Sequence, residues 1–279
     1  MASGRAQRER CRAATTRAAP AVARQPEGPP PPPVVQRLRV RYAKRGPLRF
    51  TSHRDFARAF ERALRRADVP MAYSAGFSPH PKISYAGAAP TGVASEAEYL
   101  EIGLARVCEP DVLRAELDAA LPDGLDIVDV VEAEAPGLAE RLEASYWRIS
   151  LPDVDPAAAE AAVAALLAAE SVQVERKTKD GTRTVDARAV VLSLGVAETG
   201  DSGPCAILDV VMRHTTPAVR PDDVLTALRH ASGLSTPVTP MVTRLAQGRL
   251  DEASPAGPGG HPRLIDPLSR SADVATPSR

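Results

Sequence analysis

The stretch VVQRLRVRYAKRGPLRFTSHRDFARAFERALRRA, residues 34–67, decides how the chain is read. Leu38, Val40 and Tyr42 alternate with Arg37, Arg39 and Arg41, the two-residue period of a strand with one buried face. Ser52, followed three residues later by Asp55, is a helix-start signature: the hydroxyl accepts an orphan amide proton while the carboxylate faces the positive helix end. A helix is therefore predicted over 53–67. Along it Phe56, Phe60, Ala63, Leu64 and Ala67 recur at three- and four-residue steps and form one stripe that must be buried. Arg54, Arg58, Arg62 and Arg65 follow at helical spacing as a solvated ridge, with Asp55, Glu61 and Asp68 the only local acids.

Working outward, residues 74–92 (SAGFSPHPKISYAGAAPTG) are punctuated by glycine and proline and read as a loop with a short strand over 82–86. Phe77, His80 and Lys82 are placed there to reach a ligand, since loops carry function more often than the elements they join; the alternative is that Phe77 plugs the core. Residues 99–104 alternate as a strand, 111–120 form a helix beside Pro110, and 125–131 form a strand. Strand, helix, strand, strand, helix, strand is the split βαβ order of a ferredoxin-like domain.

A second copy of that order is predicted from Tyr146. It has strands over 146–151, 172–177, 206–212 and 238–245, with helices over 155–169 and 221–230. In the insert 178–204, Asp180-Gly181 suggests a hairpin turn, and 186–194 reads as either a strand or a short helix. The predicted class is α+β: two tandem ferredoxin-like domains at 34–135 and 145–247, joined by an acidic linker at 136–144. An arm at 1–33, rich in Arg, Ala and Pro, and a tail at 248–279 are predicted to be disordered.

The net charge of zero conceals segregation. Residues 34–85 carry 12 Lys and Arg against three Asp and Glu, a balance of +9, whereas residues 86–279 balance at −13. One part of the chain suits anions and the other repels them. No stretch approaches the roughly 20 apolar residues needed to cross a bilayer, so a soluble protein is expected, and the cysteine pattern places it in the cytoplasm. Cys11, Cys108 and Cys205 are far apart, which fits a reducing compartment and supplies neither a disulfide framework nor a metal cluster. No cofactor or metal is expected, and no phosphate-binding Gly loop, GxSxG elbow or HExxH motif is present.

Residues 46–86, together with SEAEYLEIGL (95–104), VRPDDVL (219–225) and VTRLA (242–246), resemble the radical-SAM-linked domain of unknown function. In that family the domain occurs fused to the end of a B12-binding radical SAM protein or as a separate bacterial chain. The resemblance implies a radical SAM protein as partner. This chain lacks the three clustered thiolates such an enzyme needs for its iron–sulfur centre, so it is not itself the radical generator.

The function expected is a non-catalytic accessory protein acting with a separate radical SAM enzyme and binding RNA through Arg49, Arg54, Arg58, Arg62, Arg65, Phe77, His80 and Lys82. Arginine clasps phosphates with paired hydrogen bonds, and the aromatic-rich signature of base-reading RNA domains is missing, so contacts should follow backbone and shape. The sheet face adds Arg39, Arg41 and Tyr99, unless Glu101 pairs with those arginines across strands. Two alternatives stand beside this. A metal-independent endoribonuclease would use His53 or His80, with a loose likeness to the ferredoxin-like, repeat-cleaving endoribonucleases of CRISPR systems. A purely protein-binding adaptor would dock its basic ridge on the radical SAM partner.

Overall fold

The computed structural model describes residues 31–178, 181–197, 205–253 and 260–269. Nearly all of the arm at 1–33 therefore lies outside the described residues, as does the tail beyond 269.

The first half runs β1 (Gln36–Lys44), α1 (His53–Arg66), β2 (Ile83–Ala86), β3 (Ala94–Leu104), α2 (Pro110–Ala120) and β4 (Leu125–Glu132). The second runs β5 (Ala144–Pro152), α3 (Pro156–Ala168), β6 (Gln173–Thr178), β7 (Gly181–Asp186), the single turn α4 (Ala187–Val190), β8 (Val191–Ala197), β9 (Cys205–Arg213), α5 (Pro221–Ser232) and β10 (Met241–Leu250). A two-residue strand, β11 (Leu264–Ile265), follows. Pro110, Pro156 and Pro221 each open a helix, where a missing N–H costs nothing. Gly233 ends α5 at φ 75, a left-handed cap that other residues adopt at a cost.

The protein is mixed α+β, and its two halves share one sheet. Its order is β4-β1-β3-β10-β5-β9-β8, with β2 also paired to β3 and β11 to β10. One edge of β3 thus serves two strands: β2 lies beside residues 99–102 and β10 beside Ala94 and Ser95. Within the halves the orders are β4-β1-β3-β2 and β10-β5-β9-β8. Every pairing in this sheet is antiparallel except the β3–β10 junction.

Three expectations need correction. Among the described residues, 172–177 do not enter the main sheet: β6 pairs with β7 alone, across a turn whose residues 179–180 lie outside the described residues. β6 buries only Val174, whereas β8 presents Val191 and Leu194 to the same core as Leu208 and Val210 and so takes the place beside β9. The ambiguous segment 186–194 is both things in turn, the α4 turn and then β8.

The linker at 136–144 is not simply solvated. Its short turn Leu138–Arg141 buries both end residues. The tail expected to be free from 248 instead completes β10, and residues 260–269 cross the sheet as a strap, burying His261 and Leu268. A Cβ on Gly248 would lie 2.0 Å from the Ile265 carbonyl oxygen, so the strap's close approach requires glycine there.

Two cores lie on the helix side of the sheet. Phe56, Phe60 and Leu64 of α1 pack with Leu113 and Leu117 of α2 over β1, β3 and β4; Leu166 of α3 and Leu228 of α5 pack over β5, β8 and β9. At the junction Arg244 pairs with Glu98, both side chains almost fully buried, and its guanidinium lies 5.2 Å from the centre of the Trp147 ring. Gln247 donates to the Ala97 carbonyl at 2.6 Å, which stitches the same seam.

Candidate nucleic-acid interface

Helix α1 forms because its cap and stripe agree. Ser52 Oγ accepts from the Asp55 amide at 3.2 Å and donates to its carboxylate at 2.6 Å. Phe56 stacks flat on Tyr42 of β1, with centroids 4.0 Å apart, and Phe60 continues the row. Burying Phe56, Phe60, Ala63 and Leu64 fixes which side meets solvent.

That side carries Arg54, Arg58, Arg62 and Arg65, all exposed. Arg58 approaches Asp55 only to 3.9 Å, with both side chains more than half exposed, and such a pair is worth about 0–1 kcal/mol. Arg54, Arg62 and Arg65 have no ion pair among the described residues. Arg66 is committed elsewhere, donating to the Ala120 carbonyl at 2.9 Å and tying α1 to α2. Ordinary surfaces intersperse the two signs, so an unneutralised arginine ridge is an anion-attracting feature.

Just before α1, Arg49 lies with its guanidinium 4.5 Å above the Phe50 ring while donating to the Gly46 carbonyl at 3.1 Å. Phe50 is 59% exposed, and sequence reading had missed it. Its signal was an aromatic outside the periodic stripe, directly before a helix cap. Phe77 is 73% exposed and so plugs no core. It sits on a hairpin that Ser74 closes, taking the His80 amide on its hydroxyl at 3.0 Å and giving its own amide to the His80 carbonyl at 2.9 Å. Lys82, also exposed, anchors the hairpin base through its backbone: its amide donates to the Ala72 carbonyl and its carbonyl accepts from Gly103.

The two histidines are not brought together. His53 stands edge-on to Tyr85 at 4.7 Å, and no hydrogen bond or ring contact joins it to His80. The Tyr85 phenol is pushed up to about 12 by burial and then by the charge of Glu61, so it stays protonated near neutral pH. Two serine–histidine pairs elsewhere, Ser145 with His214 and Ser193 with His261, join parts of the chain. Ser145 is only 1% exposed, so its hydroxyl is out of reach of a substrate.

Beyond the end of α1 a cavity of about 490 Å³ is lined by Asp68, Val69, Arg106, Cys108 and Glu109. Burial pushes the Cys108 thiol up, which keeps it in its unreactive protonated form. Among the described residues no group of three or more His, Cys, Asp or Glu side chains is placed to hold a metal ion. No helix among them is long and apolar enough to cross a membrane.

Arg39, Arg41 and Tyr99 do not form an open sheet surface. Glu101 lies 3.5 Å from both Arg37 and Arg39, the cross-strand pairing weighed against it, and the C-terminal strap covers Tyr99 and much of Arg41.

Fold and surface together define an α+β protein with a basic helix face, and with exposed Phe50 and Phe77 on the segments before and after that helix. The chain belongs to the family described as an uncharacterized protein conserved in bacteria (DUF2344), whose family model matches residues 37–221. No curated protein matches the chain.

Proposed function

We propose that this chain is a non-catalytic accessory protein that binds RNA through the α1 ridge and the neighbouring 73–82 hairpin, and works in the cytoplasm beside a separate radical SAM enzyme. The radical SAM partner follows from the sequence resemblance. The scaffold is read as two ferredoxin-like halves fused edge to edge, supported by the matching orders β4-β1-β3-β2 and β10-β5-β9-β8. The observation that carries the RNA reading is the row Arg54, Arg62 and Arg65, exposed and without ion-pair partners among the described residues. The exposed rings of Phe50 and Phe77 add faces on which unpaired bases stack, worth about 1–3 kcal/mol per base. The nuclease alternative gains no support from two imidazoles that share no contact.

The test is Arg58→Glu/Arg62→Glu/Arg65→Glu in the full chain. Wild-type affinity for single-stranded RNA should fall steeply with salt, with a log–log slope of roughly −0.7 per phosphate contact. The variant should flatten that slope by about 2 and weaken binding to all sequences alike. If it folds normally and binds RNA as tightly as wild type at the same salt, the ridge is a solvated face only. If RNA binding is absent but a radical SAM protein co-purifies after nuclease treatment, the adaptor reading replaces this one.

A further inference from the structure

The back of the first half of the sheet carries a second group of donors, and the chain's own C-terminal segment occupies them. Arg41 Nη1 lies 2.9 Å from Asp266 Oδ2, and the Tyr99 hydroxyl donates to the same oxygen at 3.3 Å. Arg141 donates through Nη1 to the carbonyls of Pro267 and Ser269, at 3.2 and 2.8 Å, and through Nη2 to that of Ala135 at 3.0 Å. Among the described residues its Nε is buried with no acceptor, and no carboxylate lies within ion-pair distance of it. Beside it Arg39 reaches one carboxylate, Glu101, and otherwise the carbonyls of Glu134 and Pro136. Burial, and then the neighbouring Arg39 charge, lower the pKa of Arg141. A buried guanidinium served by neutral oxygens and left one donor short is poorly explained by stability alone.

We propose that Arg41, Tyr99 and Arg141 form a second phosphate-binding surface for single-stranded RNA, closed by the strap at 260–269, with Asp266 standing where a phosphate group binds once the strap lifts. This inference rests on the RNA reading above. A carboxylate and a phosphate accept the same fork of guanidinium and phenol donors, so one replaces the other without rebuilding the site. Arg37 and Arg249 lie exposed at the rim and draw a polyanion in. The Tyr99 ring lies in the sheet face, where a base stacks once Leu268 has left it. The strap's ladder to the sheet is short, two strand pairs, Arg249 with Ile265 and Leu250 with Leu264, so its hold rests mostly on side-chain contacts that a competing anion can replace. Beyond the contacts of Asp266, Pro267 and Ser269 described above, it is anchored by Leu268 against Tyr99, by the Arg263 carbonyl, which accepts from the Asp251 amide at 3.0 Å, and by the His261 bond to Ser193, 2.6 Å long. Elements with few buried contacts open at the low end of the stability range.

The experiment uses the full chain carrying Asp266→Ala and Leu268→Ser, with a fluorescently labelled oligouridylate as probe. If the strap is open in about a tenth of wild-type molecules, releasing it should tighten binding about tenfold. Adding Arg41→Ala should return the affinity to the wild-type level, and Glu175→Gln, an equal charge change on β6, should leave it unchanged. Hydrogen exchange of 260–269 should confirm that the strap has opened. An open strap with unchanged affinity, or an equal gain from Glu175→Gln, overturns the proposal. If the double variant does not fold, wild-type protein answers the question: RNA must accelerate exchange at 264–268, and unchanged or slower exchange overturns it. Loss of binding in the triple ridge variant, with strap variants behaving like wild type, leaves the RNA reading standing and removes this one. No binding by either wild type or strap-open protein removes both.

Discussion

Helices α1 and α3 occupy equivalent places in the two halves, each following the first strand of its half, yet they meet solvent with opposite surfaces. Both are capped by side-chain oxygens, Ser52 accepting from Asp55 and Asp155 from Ala157. Both bury four residues against the sheet: Phe56, Phe60, Ala63 and Leu64 in α1, and Ala159, Ala162, Val163 and Leu166 in α3. On the outside α1 carries a row of arginines, while α3 carries alanines and the single charge Glu160. Packing fixes the inner stripe and leaves the outer one free, so function is read from the side that packing does not constrain.

The seam between the halves is the largest test of treating them as one scaffold. Arg244→Met leaves Glu98 buried without its ion-pair partner, and removing one member of a buried pair costs about 3–5 kcal/mol. Chemical denaturation should show one transition moved to lower denaturant, because the seam holds both halves. Two transitions, with only the second half affected, would mean that the halves are energetically separate despite the shared sheet.

Next in size is a matched pair of cavities. Leu64→Ala in α1 and Leu166→Ala in α3 remove the same atoms from sites exposed by 3% and 0%, and each should cost about 2–5 kcal/mol. Similar losses would support equivalent roles for the two helices. A loss below about 1 kcal/mol at Leu166 would show that the alanine-rich helix collapses onto its core and is the looser of the two.

A smaller effect separates the halves by pH. Asp209 of β9 is buried, which works against its charge, but hydrogen bonds from Arg148 and Tyr146 and the charges of Arg148 and His261 outweigh burial and hold its carboxyl below 3.8. Arg148 grips it with two bonds of 2.8 Å. A depressed carboxylate gives stability that is present above the unfolded value, near 3.8, and is lost as pH falls through the folded value. Asp209→Asn should therefore cost about 1.5–3 kcal/mol at pH 7 and remove part of the acid-induced loss below pH 4. An unchanged acid limb would show that the pair contributes nothing.

The elements of the first half were legible because local signals agreed with the final packing. The stripe Phe56-Phe60-Leu64 and the Ser52 cap need no distant partner to be recognised. The second half was harder at one place: residues 172–177 and 191–197 are both strand-like, and only burial against Leu208 and Val210 decides which joins β9. The strap was illegible for the same reason in stronger form. Gly, Pro and Ser around 254–262 read as loose chain, and nothing local shows that Gly248 leaves room for Ile265 or that Asp266 meets Arg41, 225 positions away. In the candidate site, the exposed arginines followed from helix period alone, whereas the exposure of Phe77 depends on how the 73–82 hairpin folds away from the core.

The smallest expected effect is on the ridge itself, where the comparison with α3 is sharpest. Arg58→Glu/Arg62→Glu/Arg65→Glu removes no buried atoms, because all three residues are exposed. Losing the long Asp55–Arg58 approach costs about 0–1 kcal/mol. Placing an acid at position 65, in the last turn, opposes the helix dipole and costs about 0.3–1 kcal/mol. Removing the mutual repulsion of a cationic row works in the opposite direction, since like charges at helical spacing destabilise by similar amounts. The net change should therefore stay within about 1 kcal/mol. The matched variant Ala157→Glu/Ala161→Glu/Ala164→Glu on the exposed face of α3 should behave alike in denaturation and leave RNA affinity untouched. If the ridge variant instead loses more than 2 kcal/mol, the arginines are packing elements whose contacts matter to the fold, and the two helices no longer share one design with two different outer faces.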